Sequence, residues 1–235
     1  MIPGKSFYVN PCNIKSDFFQ LDKQESQHAI KVLKLFKGDD ILILDGLGST
    51  YTAKIMEINS NTVKGKIIKS LPNFGENKVK LLVAPAILKN DRFKIIIEKG
   101  TELGVNEFYP LLLKRSIKKK INYSRFKKII ISSSKQCQRS RFPILKDIST
   151  LEQFLKKSNG VIIAGVMNSG NQIDDLVLKS QKEISIIIGP EGDFSNGEKD
   201  LMIKYGVYFC DFGQRRLRSE TALIYTLSIL HNRFG

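Results

Sequence analysis

The chain has 235 residues, 42% of them hydrophobic, and a formal net charge of +15. This is enough apolar material for a buried core, which excludes a disordered chain, and the charge points to a polyanionic partner. No apolar run approaches the ~20 residues needed to cross a bilayer, and the opening MIPGKSFYVNP lacks the basic-then-apolar order of a signal peptide, so a cytoplasmic protein is expected.

Cys12, Cys137 and Cys210 are widely scattered and form no CxxC pair. They argue against a disulfide framework or a cysteine-based zinc site and suit a reducing compartment. His28 and His231 stand alone, whereas a metal site needs clustered ligands, so no metal is expected.

Residues 1–72 read as short strands around one helix. Ser6–Val9 is a candidate strand. In Gln24–Phe36 the spacing of Ala29, Val32, Leu33 and Phe36 predicts a helix with one apolar face, stopped by Gly38. Asp40–Leu44, Tyr51–Ile58 and Thr62–Lys69 are candidate strands joined by Gly46-Leu-Gly48 and Asn59-Ser-Asn61, both turn sequences. Closely spaced short strands suggest a small β-barrel. Leu71–Asn77, with Pro72, Gly75 and two asparagines, reads as a linker between a 1–72 domain and a 73–235 domain.

After the linker, strands and helices alternate. Val79–Ala86 is a strand; Asp91–Leu103 is a helix with Asn90 as its N-cap and Gly104 as its stop. Phe108–Leu113 follows as a strand, Asn122–Arg139 as a long basic helix and Thr150–Lys157 as another helix. Then come the strand Val161–Val166, the strand Ile184–Ile188, the helix Asn196–Tyr205, the strand Val207–Phe212 and the helix Ser219–Leu230. This rhythm implies a mostly parallel sheet with helices on both faces.

Charge is concentrated rather than spread. Residues 114–146 hold 12 Lys and Arg and no acid, including Arg115, Arg125, Arg139 and Arg141. Such a block is the footprint expected for phosphate contacts, and the planar fork of Arg suits them better than Lys does. A solubility patch is the plainer alternative.

The most specific stretch lies near the C-terminus. An apolar run, Ile184–Ile188, ends in Gly189-Pro-Glu-Gly-Asp-Phe194. A second, Val207–Phe212, ends in Gly213-Gln-Arg-Arg-Leu-Arg-Ser-Glu-Thr-Ala222. Two strand ends with glycine loops suggest a ligand crevice at the carboxyl edge of a parallel sheet. The pair resembles the signature of the RsmE family, SPOUT-class methyltransferases of uridine N3 in small-subunit ribosomal RNA. Asp193, Phe212 and Ser219 stand where that pattern has Gly, Leu and Thr. Asn90-Asp-Arg-Phe with Glu98–Val105, Gln136-Cys-Gln-Arg139 with Pro143, and HAIKVLKLFKGDDILILDG resemble further segments of the same family, so the likeness covers nearly the whole chain.

The resemblance implies an α/β SPOUT C-terminal domain with a trefoil knot at about residues 160–225, and a PUA-like β-barrel N-terminal domain that binds RNA. It also implies a homodimer, S-adenosyl-L-methionine as methyl donor, and 16S rRNA or the small ribosomal subunit as partner. Walker, GxGxxG and GxSxG motifs are absent, so nothing suggests phosphoryl, hydride or acyl transfer. Three loops are expected to hold the donor: Gly165–Asn168, Gly189–Gly192 and Phe212–Arg218. The expected contacts are Val166, Gly189, Glu191, Gly192, Phe212, Gly213 and Leu217, with Gly189 and Gly213 as points of close approach.

Arg218 is the candidate for stabilising charge on the uracil oxygens. Glu220 either orients Arg218 or the donor, or caps its helix. Glu191 is a base or, by preference, a structural acceptor. Arg115, Arg139, Arg141 and Arg216 are the expected RNA contacts, Arg216 and Arg215 being equally readable as surface charge. Two further readings stay open: a SPOUT enzyme with another RNA target, and an RNA-binding assembly factor without catalysis.

Overall fold

The structure is a computed structural model that describes residues 3–116, 119–173, 176 and 181–234; Ile117 and Lys118 of the basic block lie outside the described residues. The chain divides into two compact units, Met1–Glu76 with Ile131–Phe142, and Asn77–Ile130 with Pro143–Gly235.

In the first unit, β1 (Ser6–Tyr8), β2 (Ile14–Lys15), β3 (Phe18–Gln20), α1 (Lys23–Gln27), β4 (Asp40–Leu44), β5 (Ser49–Asn59) and β6 (Thr62–Pro72) follow in chain order. The strands form one sheet, β1-β4-β5-β6-β3-β2, antiparallel except for β1 beside β4. Alternate residues bury Phe7, Phe19, Ile41, Ile43, Ala53, Ile55 and Val63 in one core, as a half-buried sheet requires.

The helix expected over Gln24–Phe36 is shorter. After α1 the chain widens into a π-helical turn, His28–Val32, in which the Leu33 N–H donates to the His28 carbonyl at 3.0 Å. Lys34, at φ 50°, ends the helical run before Gly38. The wider turn rotates the predicted face. Ala29 is buried and Leu33 half-buried, while Val32 and Phe36 stand exposed at 66% and 71%.

The expected linker is pinned. The Glu76 carboxylate lies against the Arg139 guanidinium at 2.7 Å, with side-chain exposures of 7% and 2%, and it also accepts the Arg141 N–H at 2.7 Å. Lys135 pairs with Glu25 at 2.6 Å within the same unit. Burial lifts the Glu25 carboxyl above its ordinary value in spite of that partner.

The second unit runs β7 (Lys80–Pro85), α2 (Asn90–Glu102), β8 (Glu107–Phe108), α3 (Tyr123–Cys137), β9 (Ile144–Leu145), α4 (Leu151–Lys157), β10 (Val161–Gly165), β11 (Glu183–Ile188), α5 (Asn196–Lys204), β12 (Tyr208–Cys210) and α6 (Ser219–Phe234). The C-terminal part of α3, from Ile131, is counted with the first unit. Its sheet, β12-β10-β11-β7-β8-β9, is parallel at every pairing. All its carboxyl ends therefore share one edge. The central strands β7 and β11 are covered on both faces, which is why they read as continuous apolar runs.

Most predicted elements are found within a few residues. The strand expected over Phe108–Leu113 is cut to two residues before Pro110, which has no N–H for a ladder; Leu111 then makes only isolated bridges to Ala86 and Ser149. Asn90 is the first residue of α2 rather than its cap, and Lys89 occupies the cap position without a side-chain bond. Thr150 and Ser195 close capping boxes with Gln153 and Glu198.

Candidate active site

A cavity of about 460 Å³ opens at the carboxyl ends of β10, β11 and β12. Gly165–Met167 follow β10 into its wall, Ile188–Glu191 and Asp193 follow β11, and Cys210–Gly213 with Arg215–Ser219 follow β12; Ala222 of α6 and Arg92 of α2 complete it. Its apolar side includes Val166, Ile188 and Cys210, all buried, with Phe212 and Leu217 beside them.

The three loops are tied to each other. Ser219 Oγ donates to the Gly189 carbonyl at 2.7 Å, and Arg216 Nη2 donates to the Glu191 carbonyl at 2.9 Å, joining the third loop to the second. Asp211 joins the third to the first: its Oδ2 accepts the Asn168 N–H at 2.8 Å, and its own N–H donates to the Asn171 carbonyl at 2.7 Å. Arg92 reaches both signature motifs, with Nη1 at 2.5 Å from Glu191 Oε1 and Nε at 3.9 Å from Glu220 Oε1.

Two carboxylate oxygens here, Asp211 Oδ1 and Glu220 Oε2, are buried without a hydrogen-bond partner among the described residues, although buried polar groups are nearly always satisfied. Arg215 and Arg218 line the cavity, both are exposed, and neither has an ion-pair partner among the described residues.

The turn after β11 explains the sequence's departure from the glycine pattern. Asp193 sits at φ 63°, a left-handed conformation that favours glycine but that Asp tolerates. Its N–H donates to the Pro190 carbonyl at 3.1 Å, and its carboxylate holds Lys199 at 2.8 Å. Phe194 is buried, and its ring lies 3.0 Å from where a Gly189 Cβ would stand. A Cβ at Gly189 would therefore crowd the Phe194 ring, which is one reason for glycine there. Gly213 is at φ 95° with nothing within 4 Å of an added Cβ, so its requirement is the backbone conformation.

Glu198 anchors the next helix. Its carboxylate accepts the Ser195 N–H and hydroxyl at 2.8 and 2.7 Å and the Lys114 N–H at 2.8 Å. Burial pushes its carboxyl up, but these three bonds and the nearby Arg115 charge outweigh it and hold the group below its ordinary value.

Of the residues singled out from the sequence, Val166, Glu191, Gly189, Phe212, Gly213, Leu217, Arg216 and Arg218 meet at the cavity. Gly192 stands just beyond, its carbonyl accepting from Arg115 Nη1. Glu220 lies behind the lining, 8% exposed. Arg115 braces the Gly192–Phe194 backbone. Arg139, expected on RNA, is corrected: it is buried in the first unit and its guanidinium is committed to Glu76. Arg141 is exposed, with Nη2 at 3.4 Å from Asn73 Oδ1. Sequence reasoning assigns no site role to Arg92, Asp211 or Ala222, although Arg92 falls within the Asn90-Asp-Arg-Phe segment.

A parallel sheet whose carboxyl edge carries three interlocked loops, an apolar-walled cavity and unpaired arginines defines an α/β protein with a ligand site suited to an anionic partner. The chain belongs to the RNA methyltransferase family: residues 75–231 match its RNA methyltransferase domain, and residues 21–68 match the RNA methyltransferase PUA domain. It is similar to ribosomal RNA small subunit methyltransferase E of Rickettsia conorii, 28% identical over 224 residues that cover 92% of this chain and 91% of that one. The protein of that name from Buchnera aphidicola subsp. Schizaphis graminum is 30% identical over 226 residues, covering 92% and 90%. Among solved structures, Lpg2936 of Legionella pneumophila, in complex with bound SAM, superposes with a TM-score of 0.87 at 27% identity over 99% of this chain and 98% of that one. Ribosomal RNA small subunit methyltransferase E of Neisseria gonorrhoeae, bound to S-adenosyl methionine, gives 0.89 at 23% identity over 98% of each; at that identity it supports the fold alone.

Proposed function

We propose that this chain is an RsmE-type enzyme that methylates N3 of a uridine in 16S ribosomal RNA with S-adenosyl-L-methionine as donor. The observation that carries the reading is the cavity at the carboxyl edge, with Asp211 in its wall and Glu220 behind it, each keeping one carboxylate oxygen without a partner among the described residues. A ligand with an apolar ring, hydroxyl donors and an ammonium group suits such a lining: Val166, Ile188, Phe212 and Leu217 for the ring, Asp211 and the loop backbones for the donors. When bound, the sulfonium supplies an activated methyl, leaving the protein to align the two reactants.

The chain's own residues then have to manage the proton on N3 and the charge it leaves on the uracil oxygens. Arg218 faces the cavity with its guanidinium uncommitted and acts as the oxyanion donor. Glu220 is held by Arg92 with one oxygen spare, and it orients the site or accepts the proton. Glu191 is engaged by Arg92, which favours the structural role. Arg215, Arg216 and Arg141 are the exposed arginines for RNA phosphates; Arg115 serves through the loop it braces. Asp193, where the family pattern has Gly, is accommodated by its own turn.

The finer features of the fold belong to the same reading. β12 lies beyond β10, yet Ser219 returns to Gly189 after β11, so residues 211–218 cross the end of β10; this supports the SPOUT trefoil knot. Closure of the first sheet as a PUA-like barrel is supported by the family match. Exposed apolar side chains on the second unit, among them Ile203 and Tyr225, favour a homodimer. No helix among the described residues is long and apolar enough to cross a membrane, and the free cysteines favour the cytoplasm.

Calorimetry with S-adenosylmethionine tests the site. Gly213→Val is a poor probe, because valine at φ 95° is strained whatever binds. Ala222→Phe fills the cavity from a helix without that strain. Saturable binding by the wild type near one donor per chain, abolished in a variant of unchanged melting temperature, supports the reading. It should be followed by mass spectrometry of methylated ribosomal RNA. Absence of binding by folded wild type overturns the reading in favour of an RNA-binding factor.

A further inference from the structure

Three backbone irregularities converge on one surface of the first unit. The first is the π-helical turn His28–Val32. The second is Lys34 at φ 50°. The third is a β-bulge at Met56, which has no cross-strand partner between the pairs Ile55–Gly65 and Glu57–Lys64. Hydrogen bonds link them: Leu35 N–H to Ala29 O at 3.0 Å, Gly38 N–H to Ile55 O at 2.8 Å and Ile55 N–H to Asp39 O at 2.9 Å. Irregularities of this kind cost stability and concentrate where a protein aims side chains for function.

Here they aim Val32, Phe36 and Met56 outward, exposed at 66%, 71% and 46%. The backbone that carries Phe36 is fixed. Leu35 beside it is anchored in the core, and the Phe36 N–H donates to Asp39 Oδ2 at 3.0 Å. Lys31, Lys34 and Lys37 are exposed around it. Of the nearby acids, Asp39 accepts the Phe36 N–H and Asp40 pairs with Lys54 at 3.7 Å. An exposed aromatic on a fixed backbone, in a stretch with three exposed lysines, fits unstacked bases and their phosphates better than an apolar partner.

We infer that Phe36 is a stacking platform for single-stranded RNA, with Val32 and Met56 flanking the base and Lys31, Lys34 and Lys37 meeting the phosphates. This rests on the proposed function and adds a docking site on the first unit, whereas the methyl-transfer cavity belongs to the second.

The test is fluorescence anisotropy of full-length protein with a short labelled single-stranded RNA of mixed sequence, on wild type, Phe36→Ala and Phe36→Trp. Phe36→Ala should bind about tenfold more weakly at unchanged melting temperature, and Phe36→Trp should bind as well as wild type. Equal binding by Phe36→Ala overturns the inference. So does a loss of affinity that tracks a fall in melting temperature, or a change in subunit mass by light scattering at unchanged RNA affinity, which would assign the surface to a second copy. Methyl transfer by the wild type to small subunits is measured in parallel. If transfer fails, the functional reading falls, while the Phe36 comparison still reports on the platform.

Discussion

Arg92 is the residue on which the geometry of the site converges, since among the described residues it alone pairs with both Glu191 and Glu220. Arg92→Gln removes a countercharge from a carboxylate with 10% side-chain exposure, and such a loss leaves the remaining charge poorly solvated. The expected outcome is a fall in kcat with a smaller change in donor affinity, read from steady-state methylation. Arg218→Ala should lower kcat by about a hundredfold, in the range for losing one donor to a developing oxyanion, with calorimetric donor affinity retained. If donor affinity falls instead, Arg218 belongs to the donor pocket.

The glycines, GPEG loop and Arg-rich turn were legible because each is a local pattern. Arg92 was not, because its partners lie far away in sequence and an ion pair leaves no local mark. Arg139 misled for the same reason: a basic run shows charge but not where a guanidinium points.

Among the elements, α5 illustrates how one carboxylate can secure a helix start. Glu198→Ala removes the Ser195 capping box and the bond from Lys114, and should cost about 1–2 kcal/mol by urea unfolding at neutral pH. Because the folded carboxyl is held below its ordinary 4.5, its contribution is complete above that pH. It fades as pH falls through the lower folded value. The gap between wild type and variant should therefore narrow on acidification below pH 4.5; a constant gap would remove the carboxylate's charge from the account. The long strands, α4 and α5 were readable from apolar runs and caps. β2, β8 and β9 were not, since two residues cannot display a period of two. The π-helical turn also escaped, because it depends on a bond to one carbonyl further back than the helical pattern assumes.

At the scale of the whole molecule, the buried Glu76–Arg139 pair decides how the first unit is completed. Arg139→Met leaves Glu76 uncompensated and should cost about 3–5 kcal/mol. Adding Glu76→Gln should recover much of that, a non-additivity that urea unfolding of the double variant would measure. If the two single variants simply add, the pair contributes no coupling and the buried position is tolerated for other reasons.

That pairing also bears on the order of folding during synthesis. The first unit draws its last stretch from residues 131–142, on the far side of β7, α2 and β8. As the nascent chain emerges, Glu76 and Glu25 appear long before Arg139 and Lys135, so the first unit waits half-made while the opening strands of the second are already out. Domains usually fold as they are released; here the N-terminal one cannot finish until more than half of the chain exists, and a fragment cut at Glu76 would carry two buried acids without their bases.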